Sequence, residues 1–530
     1  MIQSSPYPAV DIPEVSLPAL LAERARRFPE KVALIDGPSG RSYTYGEWAT
    51  LVRRAAAGLA RHGFSRGDVL AIYSPNLPEY AIAFHAVALA GGINTTINPL
   101  YTVDELTYQL RDSGARYLIT VGPFLDKALA AARAAGISRI FVFGEVGPAE
   151  AADGVLPWSA LLVEEGPVPE PAIDPREDLV ALPYSSGTTG LPKGVMLTHY
   201  NLVANLLQNA GSPLAVGPDD TLIAVLPFFH IYGLVVVMNL GLYLGATIVT
   251  MPRFDLEAFL ETMARYGVTF ANLVPPIVLA LAKHPVVDRY DLSKLRMIFS
   301  GAAPLGGEIA SACARRLGCL VFQGYGLTET SPVTHVSPTE PELAKPGSVG
   351  FPLPNTECRI TDLESGAPLG PGERGEVCIR GPQTMKGYWH RPDATAAMID
   401  EDGWLHTGDI GFIDEDGHLY VVDRVKELIK YKGLQVAPAE LEAVLLTHPA
   451  IADAAVIPSP DEEAGEVPKA FVVLRGEADP GEILAFVAAR VAPHKKVRLL
   501  ECIDQIPKSA SGKILRRVLI ERERAREGRP

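Results

Sequence analysis

The sequence predicts an α/β fold with largely parallel sheets, split into a large N-terminal domain and a small C-terminal one. Short β-branched runs alternate with amphipathic helical stretches along most of the chain, the pattern of parallel strands joined by crossover helices. At 530 residues the chain can build more than one core. Residues 423–530 hold 18 Lys and Arg against 17 Asp and Glu, so the preceding residues carry −15 against a net charge of −14. A near-neutral unit, 423–530, is therefore predicted to follow an acidic one, 1–422, with Asp423 as the hinge.

Apolar spacing predicts a helix over 17–27, followed by V-A-L-I-D-G and the turn G-P-S-G-R. A long Ala/Leu/Arg-rich helix is predicted at 46–63, a strand at 69–74 and an Ala-rich helix at 78–91. The strand-like runs I-N-T-T-I-N, Y-L-I-T-V and I-F-V-F-G continue the alternation. No period of about 20–50 residues recurs, which excludes a solenoid. Residues 145–177, rich in Pro, Glu and Ala, read as a surface excursion. Further on, T-L-I-A-V-L-P-F-F-H-I-Y-G (221–233) reads as a buried strand with His230 at the tip of an aromatic turn. V-T-F-A-N-L-V-P-P (268–276), M-I-F-S-G-A-A-P-L (297–305) and V-F-Q-G-Y-G-L-T-E-T (321–330) each run from a strand into a turn or helix. Ligands of open α/β sheets sit at the carboxyl ends of strands. The turns at 230, 301–304 and 324–330 are thus predicted to converge on one pocket. Residues 346–422, with many Gly and Pro and short alternating runs, predict a small β-subdomain.

A hydrophobic content of 48% with 21% charged residues fits a globular protein. The acidic balance, with a pI of about 5.4, argues against nucleic acid and anionic membrane as partners. Five scattered cysteines without a C-x-x-C pair suggest neither a disulfide framework nor a zinc site, and point to a reducing cytosol. The N-terminus lacks a basic and then apolar leader pattern, and the C-terminus is not S-K-L. The nearly uncharged run Ile231–Val249 approaches the length of a membrane span. Its Asn239 and its glycines (Gly233, Gly241, Gly245) fit a buried helix followed by a strand instead. The expectation is a cytoplasmic protein without an integral span, monomeric or homodimeric.

The stretch Y-S-S-G-T-T-G-L-P-K-G (184–194) sets hydroxyls, glycines and Lys193 between apolar runs. Glycines let backbone amides approach an anion, hydroxyls donate, and lysine adds charge, so the loop is built to grip phosphate. It is not a Walker loop, because Pro192 and Gly194 stand where that pattern needs Gly and Ser or Thr. Thr198 is placed to cap the following helix. In G-Y-G-L-T-E-T (324–330), Tyr325 offers an aromatic face for a purine and Glu329 a carboxylate for Mg²⁺. H-T-G-D-I-G (406–411) sets Asp409 where it could accept from ribose hydroxyls. Arg424, Lys430 and Lys432 lie beside the predicted hinge, and P-K-S-A-S-G-K (507–513) presents Lys513 after a Ser/Gly turn.

These strings, together with S-G-A-A-P (300–304), occur in the order and spacing of the adenylate-forming superfamily, and the chain resembles it from about residue 20 to 520. P-F-F-H-I-Y-G, G-E-V-C-I-R-G and I-K-Y-K-G-L-Q-V-A-P-A-E-L-E resemble the branch of 4-coumarate–CoA ligases, luciferases and related acyl-CoA synthetases. The resemblance implies two α/β subdomains and a β-subdomain, followed by a mobile α+β C-terminal domain. It implies activation of a carboxylic acid by ATP and Mg²⁺ as acyl-AMP, then transfer to CoA. ATP and AMP would be held by Ser185, Ser186, Gly187, Thr188, Thr189, Gly190 and Lys193. Ala302, Ala303, Gln323, Gly324, Tyr325, Gly326, Leu327 and Thr328 would frame the nucleotide further, with Asp409, Val421, Arg424, Gln435 and Lys513. Thr188 and Glu329 would hold the metal, and Lys513, Lys430 and His230 would join them in catalysis. His230, Tyr232, Val235, Val236, Phe299, Gly301, Gly324, Gly326, Pro332 and Val333 would line the acyl pocket, and Lys430, Lys432 and Gly433 would meet CoA. Such a pocket has no acid to pair with an amine, unlike an amino-acid-activating domain. Hydroxycinnamate ligases often carry Lys just before S-G-A-A-P, where this chain has Phe299. Aryl and fatty acids both stay open as substrates, as does a luciferase-like oxygenase.

Overall fold

The computed structural model describes the chain except residues 149–150, 152–153, 165, 186–190, 215, 341, 425, 433, 462, 510–511 and 527–530, and the side chain of Gln435. Among the described residues, four sheets organise the molecule. Two nine-stranded sheets form the core of the large domain. One is centred on parallel strands Ile93–Ile97, Val69–Tyr73, Tyr117–Val121 and Arg139–Phe143. The other runs in parallel from Leu320–Gly326 through Met297–Ser300, Phe270–Leu273, Thr221–Ala224 and Thr247–Thr250 to Val32–Asp36. Strands such as Val69–Tyr73 are buried on both faces, which is why they read as unbroken apolar runs.

Helices Leu17–Arg27, Tyr45–Arg61 and Pro78–Leu89 fall where the periodicity predicts. Thr44 and Thr198 each close a capping box at the start of the helix that follows, with Glu47 and Asn201. Residues 221–233 depart from expectation. Their strand stops at Ala224. Beyond it the Asn76 amide donates to Ala224 O and Leu226 O and accepts from Phe228 N–H, so a side chain replaces the strand ladder. The segment after 145 is not wholly superficial either: Val155–Pro157 joins the first sheet, and Trp158 and Leu161 are buried.

The apolar run at 231–249 folds as a buried helix and then a strand. Its first half, Tyr232–Asn239, is π-helical, and Leu240–Leu244 is α-helical up to Gly245 at φ +81°. The side-chain amide of Asn239 donates to Leu234 O, five residues back, in step with that wider turn. No helix among the described residues is long and apolar enough to cross a membrane.

A five-stranded antiparallel sheet contains Glu357–Thr361, Gly375–Arg380, Leu405–Ile413 and Leu419–Arg424, and its edge is Ile2–Ser4. The small C-terminal domain packs helices Pro438–Thr447 and Pro480–Ala488 against a sheet of Ile429–Tyr431, Leu434–Val436, Gly465–Leu474, Ile451–Asp461 and Leu499–Cys502.

Candidate active site

The turns after three parallel strands meet at a cleft of about 450 Å³ that opens to solvent. His230, Tyr232, Phe299, Gly301, Gly324, Gly326, Pro332 and Val333 line it, as do Ala302, Tyr325, Leu327, Thr328 and Lys513. Ile231, between His230 and Tyr232 in H-I-Y-G, also lines it, although the sequence reading assigns it no role. Two residues expected in the acyl wall are elsewhere. Val235 is buried in the core, and Val236 lines a separate narrow cavity, because residues one turn apart on the helix face successive positions along the sheet. Ala303 and Gln323 are not in the lining, and the Gln323 side chain instead accepts from Leu305 N–H at 2.9 Å.

Backbone geometry shapes the cleft. Ala302 holds φ +71°, a left-handed conformation that a non-glycine residue adopts at a cost of about 1–3 kcal/mol and that concentrates at functional sites. A Cβ on Gly324 would stand 2.3 Å from the Phe299 ring, so the ring lies directly over that glycine. Tyr232 meets the same ring edge-on at 6.0 Å, and its hydroxyl donates to Phe299 O at 2.9 Å.

Charged groups gather beside Tyr325. The Tyr325 hydroxyl donates to Asp409 Oδ2 at 2.6 Å, and Arg424 Nε lies 3.3 Å from Oδ1. Thr407 Oγ accepts from Asp409 N–H. Burial raises the Asp409 carboxyl above its ordinary range, with Arg424 and Tyr325 pulling the other way. Burial alone would lower the Arg424 guanidinium, but Asp409 and Glu427 outweigh it and raise it. Val421 packs on the same apolar cluster as Tyr325.

Lys513 enters from the small domain. Its turn is closed by Ser509, whose Oγ accepts from Lys513 N–H and whose N–H donates to Lys513 O. Gly512, at φ +78°, sets that turn against the large domain, where a Cβ would lie 3.2 Å from Val274. Burial, then the nearby Arg424 charge, lowers the Lys513 ammonium, against Asp409, Glu329 and Glu427. Burial, with Lys513 adding, lowers the His230 imidazole to about 3. His230 is therefore neutral at ordinary pH. Its Nδ1 accepts from Tyr232 N–H at 3.3 Å, which leaves the ring proton on Nε2.

Glu329 Oε1 accepts from both Ser185 Oγ and Tyr388 OH, each at 2.8 Å, and Lys193 Nζ sits 5.3 Å from the centroid of the Tyr388 ring. This buried carboxylate among hydroxyls is the hard-oxygen donor chemistry that a divalent cation such as Mg²⁺ takes. Ser186, Gly187, Thr188, Thr189, Gly190 and Gly433 lie outside the described residues, as does the Gln435 side chain. Elsewhere, Glu376, Cys378 and His406 are near enough to share a cation, but Glu376 already meets His406 Nδ1 at 2.8 Å and Asp400 lies 3.5 Å from Nε2.

Lys430 and Lys432 are not in the cleft. Both are exposed; Lys430 N–H donates to Glu466, and the Lys432 ammonium pairs with Glu463. Asp423 is buried, with Oδ1 accepting from Arg424 N–H at 2.8 Å and Oδ2 from Ala439 N–H at 2.9 Å, at the start of helix Pro438–Thr447. Asp423 and Arg424 still pair with Ile410 and Asp409 in the five-stranded sheet, and the next sheet begins at Ile429.

The family model for AMP-binding enzymes matches residues 21–389, and the model for the C-terminal domain of AMP-binding enzymes matches 440–513. The chain belongs to this family of adenylate-forming enzymes. It is 45% identical to 4-coumarate–CoA ligase 2 of Oryza sativa subsp. japonica, over 97% of this chain and 94% of that one. Against 4-coumarate–CoA ligase 2 of Petroselinum crispum it is 46% identical over 98% and 96%. The anthranilate CoA ligase AuaEII, solved with anthranoyl-AMP, superposes with a TM-score of 0.90 at 27% identity, covering 98% of this chain and 99% of that one. A benzoate CoA ligase from Burkholderia xenovorans LB400 gives 0.85 at 27% identity, over 95% and 99%. Within its family the chain is an ATP-dependent, AMP-forming acid–thiol ligase. Relatives of that name over nearly the full length do not favour the fatty-acid or luciferase-like alternatives.

Proposed function

We propose that the acid is an aryl-propenoic acid of the 4-coumarate and cinnamate class, joined to CoA through an acyl-AMP. The carrying observation is that Lys513 and His230 share one cleft whose remaining lining is largely apolar and glycine-rich and includes Phe299 and Tyr232. The names of the full-length relatives support the same acid.

In this reading a carboxylate oxygen attacks the α-phosphorus of ATP, and pyrophosphate leaves with the electrons of the broken P–O bond. Two anions meet, so positive and hydrogen-bonding groups must already be in place. Lys513 bridges the acyl carboxylate and the α-phosphate, and its buried ammonium gains from each anion that binds. His230, neutral and protonated on Nε2, positions the carboxylate as a hydrogen-bond donor. Asp409, oriented by Tyr325 and Thr407, holds the ribose with Arg424 beside it, and the turn at Ala302 frames the base. The loop around Ser185 and Lys193 takes the outer phosphates. Thr188 and Glu329 would hold Mg²⁺, which supplies charge neutralisation on the triphosphate.

For the second half-reaction, residues from 423 onward turn about Asp423, withdrawing Lys513 and bringing Lys430, Lys432 and Gly433 to the pantetheine arm of CoA. The thiol sulfur attacks the acyl carbon and AMP leaves. The exposure of Lys430 while Lys513 occupies the cleft supports this division of labour. One chain supplies every assigned residue, which fits a monomer or homodimer. Buried free thiols at Cys313, Cys319, Cys358 and Cys378 fit a cytoplasmic setting.

The test is pyrophosphate release from ATP and Mg²⁺, with and without CoA, across cinnamate, 4-coumarate, benzoate and saturated acids. CoA-sustained release with cinnamate and 4-coumarate is expected. Release confined to saturated acids would overturn the assignment.

A further inference from the structure

The strand that carries Asp409 arches out of its sheet. Gly375–Arg380 and Leu405–Ile413 run antiparallel, with His406 opposite Cys378 and Ile410 opposite Glu376, so Thr407, Gly408 and Asp409 all face Val377. Extra residues on one strand of a pair bend it and re-aim a side chain, often beside an active site. Gly408, at φ +70°, takes the left-handed turn that the arch needs. On its other flank Asp409 pairs with Arg424, the last residue of Leu419–Arg424. The side chain so aimed is the one that meets Tyr325 at the wall of the cleft.

An arch gives up ladder hydrogen bonds, and buried backbone groups left without partners are costly. Side chains take their place here. Thr407 Oγ donates to Val377 O at 2.7 Å and accepts from Asp409 N–H at 3.0 Å. Glu376 Oε1 accepts from Gly408 N–H at 3.0 Å, while its Oε2 accepts from His406 Nδ1 at 2.8 Å. Asp400 Oδ2 lies 3.5 Å from the other ring nitrogen of His406. One largely buried carboxylate therefore spans the arch, from its foot at His406 to its crown at Gly408. Hydrogen bonds to an ionised acceptor are roughly twice as strong as neutral ones. No step of the reaction uses Glu376.

We propose that Glu376 is a positioning residue for the nucleotide, holding Asp409 at the ribose and so setting the preference for ribose over 2′,3′-dideoxyribose triphosphates. This deepens the reading above and rests on Asp409 as the ribose acceptor. The Asp409 carboxylate has to accept from both ribose hydroxyls while keeping Tyr325 and Arg424, which fixes its place closely. A displacement of about 1 Å is enough to spoil such a pairing. Without the Glu376 carboxylate, the crown of the arch settles toward Gly375–Arg380 and carries Asp409 back from the cleft. The contacts to base, phosphates and acid come from other elements and stay in place. Sites built to bond a hydroxyl discriminate strongly against analogues that lack it, so the loss appears in that discrimination.

The experiment measures pyrophosphate release with the acid the enzyme uses best, comparing kcat/KM for ATP and for 2′,3′-dideoxy-ATP. Thermal melting checks that each variant folds. The native enzyme is expected to favour ATP by about a hundredfold, tenfold for each hydroxyl bonded to a charged group, and Asp409→Ala to bring the ratio near one. Glu376→Leu is expected to lower the ratio by about tenfold or more, with KM for the acid within about twofold of native. Where the Leu chain does not fold, Glu376→Asp, which keeps the charge but stops short of Gly408, carries the same expectation. The native ratio in whichever variant folds overturns the proposal, even if overall activity has dropped, because a merely structural brace lowers turnover of both nucleotides alike. A native ratio retained in Asp409→Ala would instead remove the ribose role of Asp409 itself.

Discussion

The Tyr325 hydroxyl and the Asp409 carboxylate, 84 residues apart, meet at 2.6 Å across the seam between the large parallel sheet and the five-stranded sheet. Asp409 is thereby held, from the neighbouring sheet, against the wall of the cleft that Tyr325 lines. A hydrogen bond to a charged group contributes roughly 1.5–3 kcal/mol. Tyr325→Phe is expected to raise KM for ATP by about tenfold or more, with a smaller effect on KM for the acid. An unchanged KM for ATP in steady-state pyrophosphate release would separate Asp409 from the ribose.

The two faces of the small domain make opposite predictions. Lys513→Ala should lose most formation of acyl-AMP yet still convert supplied acyl-adenylate and CoA to thioester. Lys430→Ala should do the reverse. Single-turnover assays of each half-reaction check this, and equal losses in both by both variants would rule out the division.

Gly324 has no room for a methyl group, since its Cβ would stand 2.3 Å from the Phe299 ring and 3.0 Å from His335 O. The ring is held by Phe322 at 5.1 Å and Tyr232 at 6.0 Å, so its open direction is into the acyl cleft. Gly324→Ala is expected to raise KM for the acid about tenfold, in keeping with an overpacking energy of roughly 1–3 kcal/mol. KM for ATP should move far less. Acid and ATP titrations of the same variant read the difference directly.

Acid should destabilise the enzyme once pH falls below the ordinary histidine value of 6.5, through its buried neutral rings. Burial holds His85, His230 and His335 down to about 3 and His199 to about 4, from an ordinary value of 6.5. The folded form then binds fewer protons than the unfolded form between those values, so stability is complete above 6.5 and is lost as pH falls toward 3–4. At pH 5 each fully buried ring, His85, His199 and His335, contributes on the order of 2 kcal/mol of that loss, at about 1.4 kcal/mol per unit. Denaturation midpoints at pH 7.5 and 5.0 should differ accordingly. His85→Leu, whose ring contacts are Trp48 and Phe84, should show a smaller difference. A flat profile between the two pH values would contradict the neutral burial of these rings.

Much of this was legible because local pattern and tertiary role coincide. The strand end at Ser300 follows an apolar run that is buried on the sheet, and the turns after Ser300 and Gly326 carry their own signatures. What escaped depends on distant pairing. Tyr388 reaches Glu329 because its strand pairs antiparallel with Val195–Met196, far earlier in the chain, and nothing local to M-K-G-Y-W signals it. The facing of Val236 was hidden for another reason: apolar content marks a buried helix, but its π-turns decide which side chains line the cleft. Likewise the end of the strand at Ala224 was set by Asn76, nearly 150 residues earlier.

The edge strand Ile2–Ser4 pairs with Glu357–Thr361, and Ser5 Oγ donates to Pro352 O at 2.9 Å. During synthesis, Ile2–Ser4 therefore wait for a partner made more than 350 residues later. At about 5–20 residues per second, that delay is roughly 20–70 s. The sheet that carries Asp409 is thus among the last parts of the large domain to be completed, although it incorporates Ile2–Ser4. An N-terminal fusion that folds quickly would sit at that edge throughout the wait, whereas a C-terminal one would arrive after the sheet had closed.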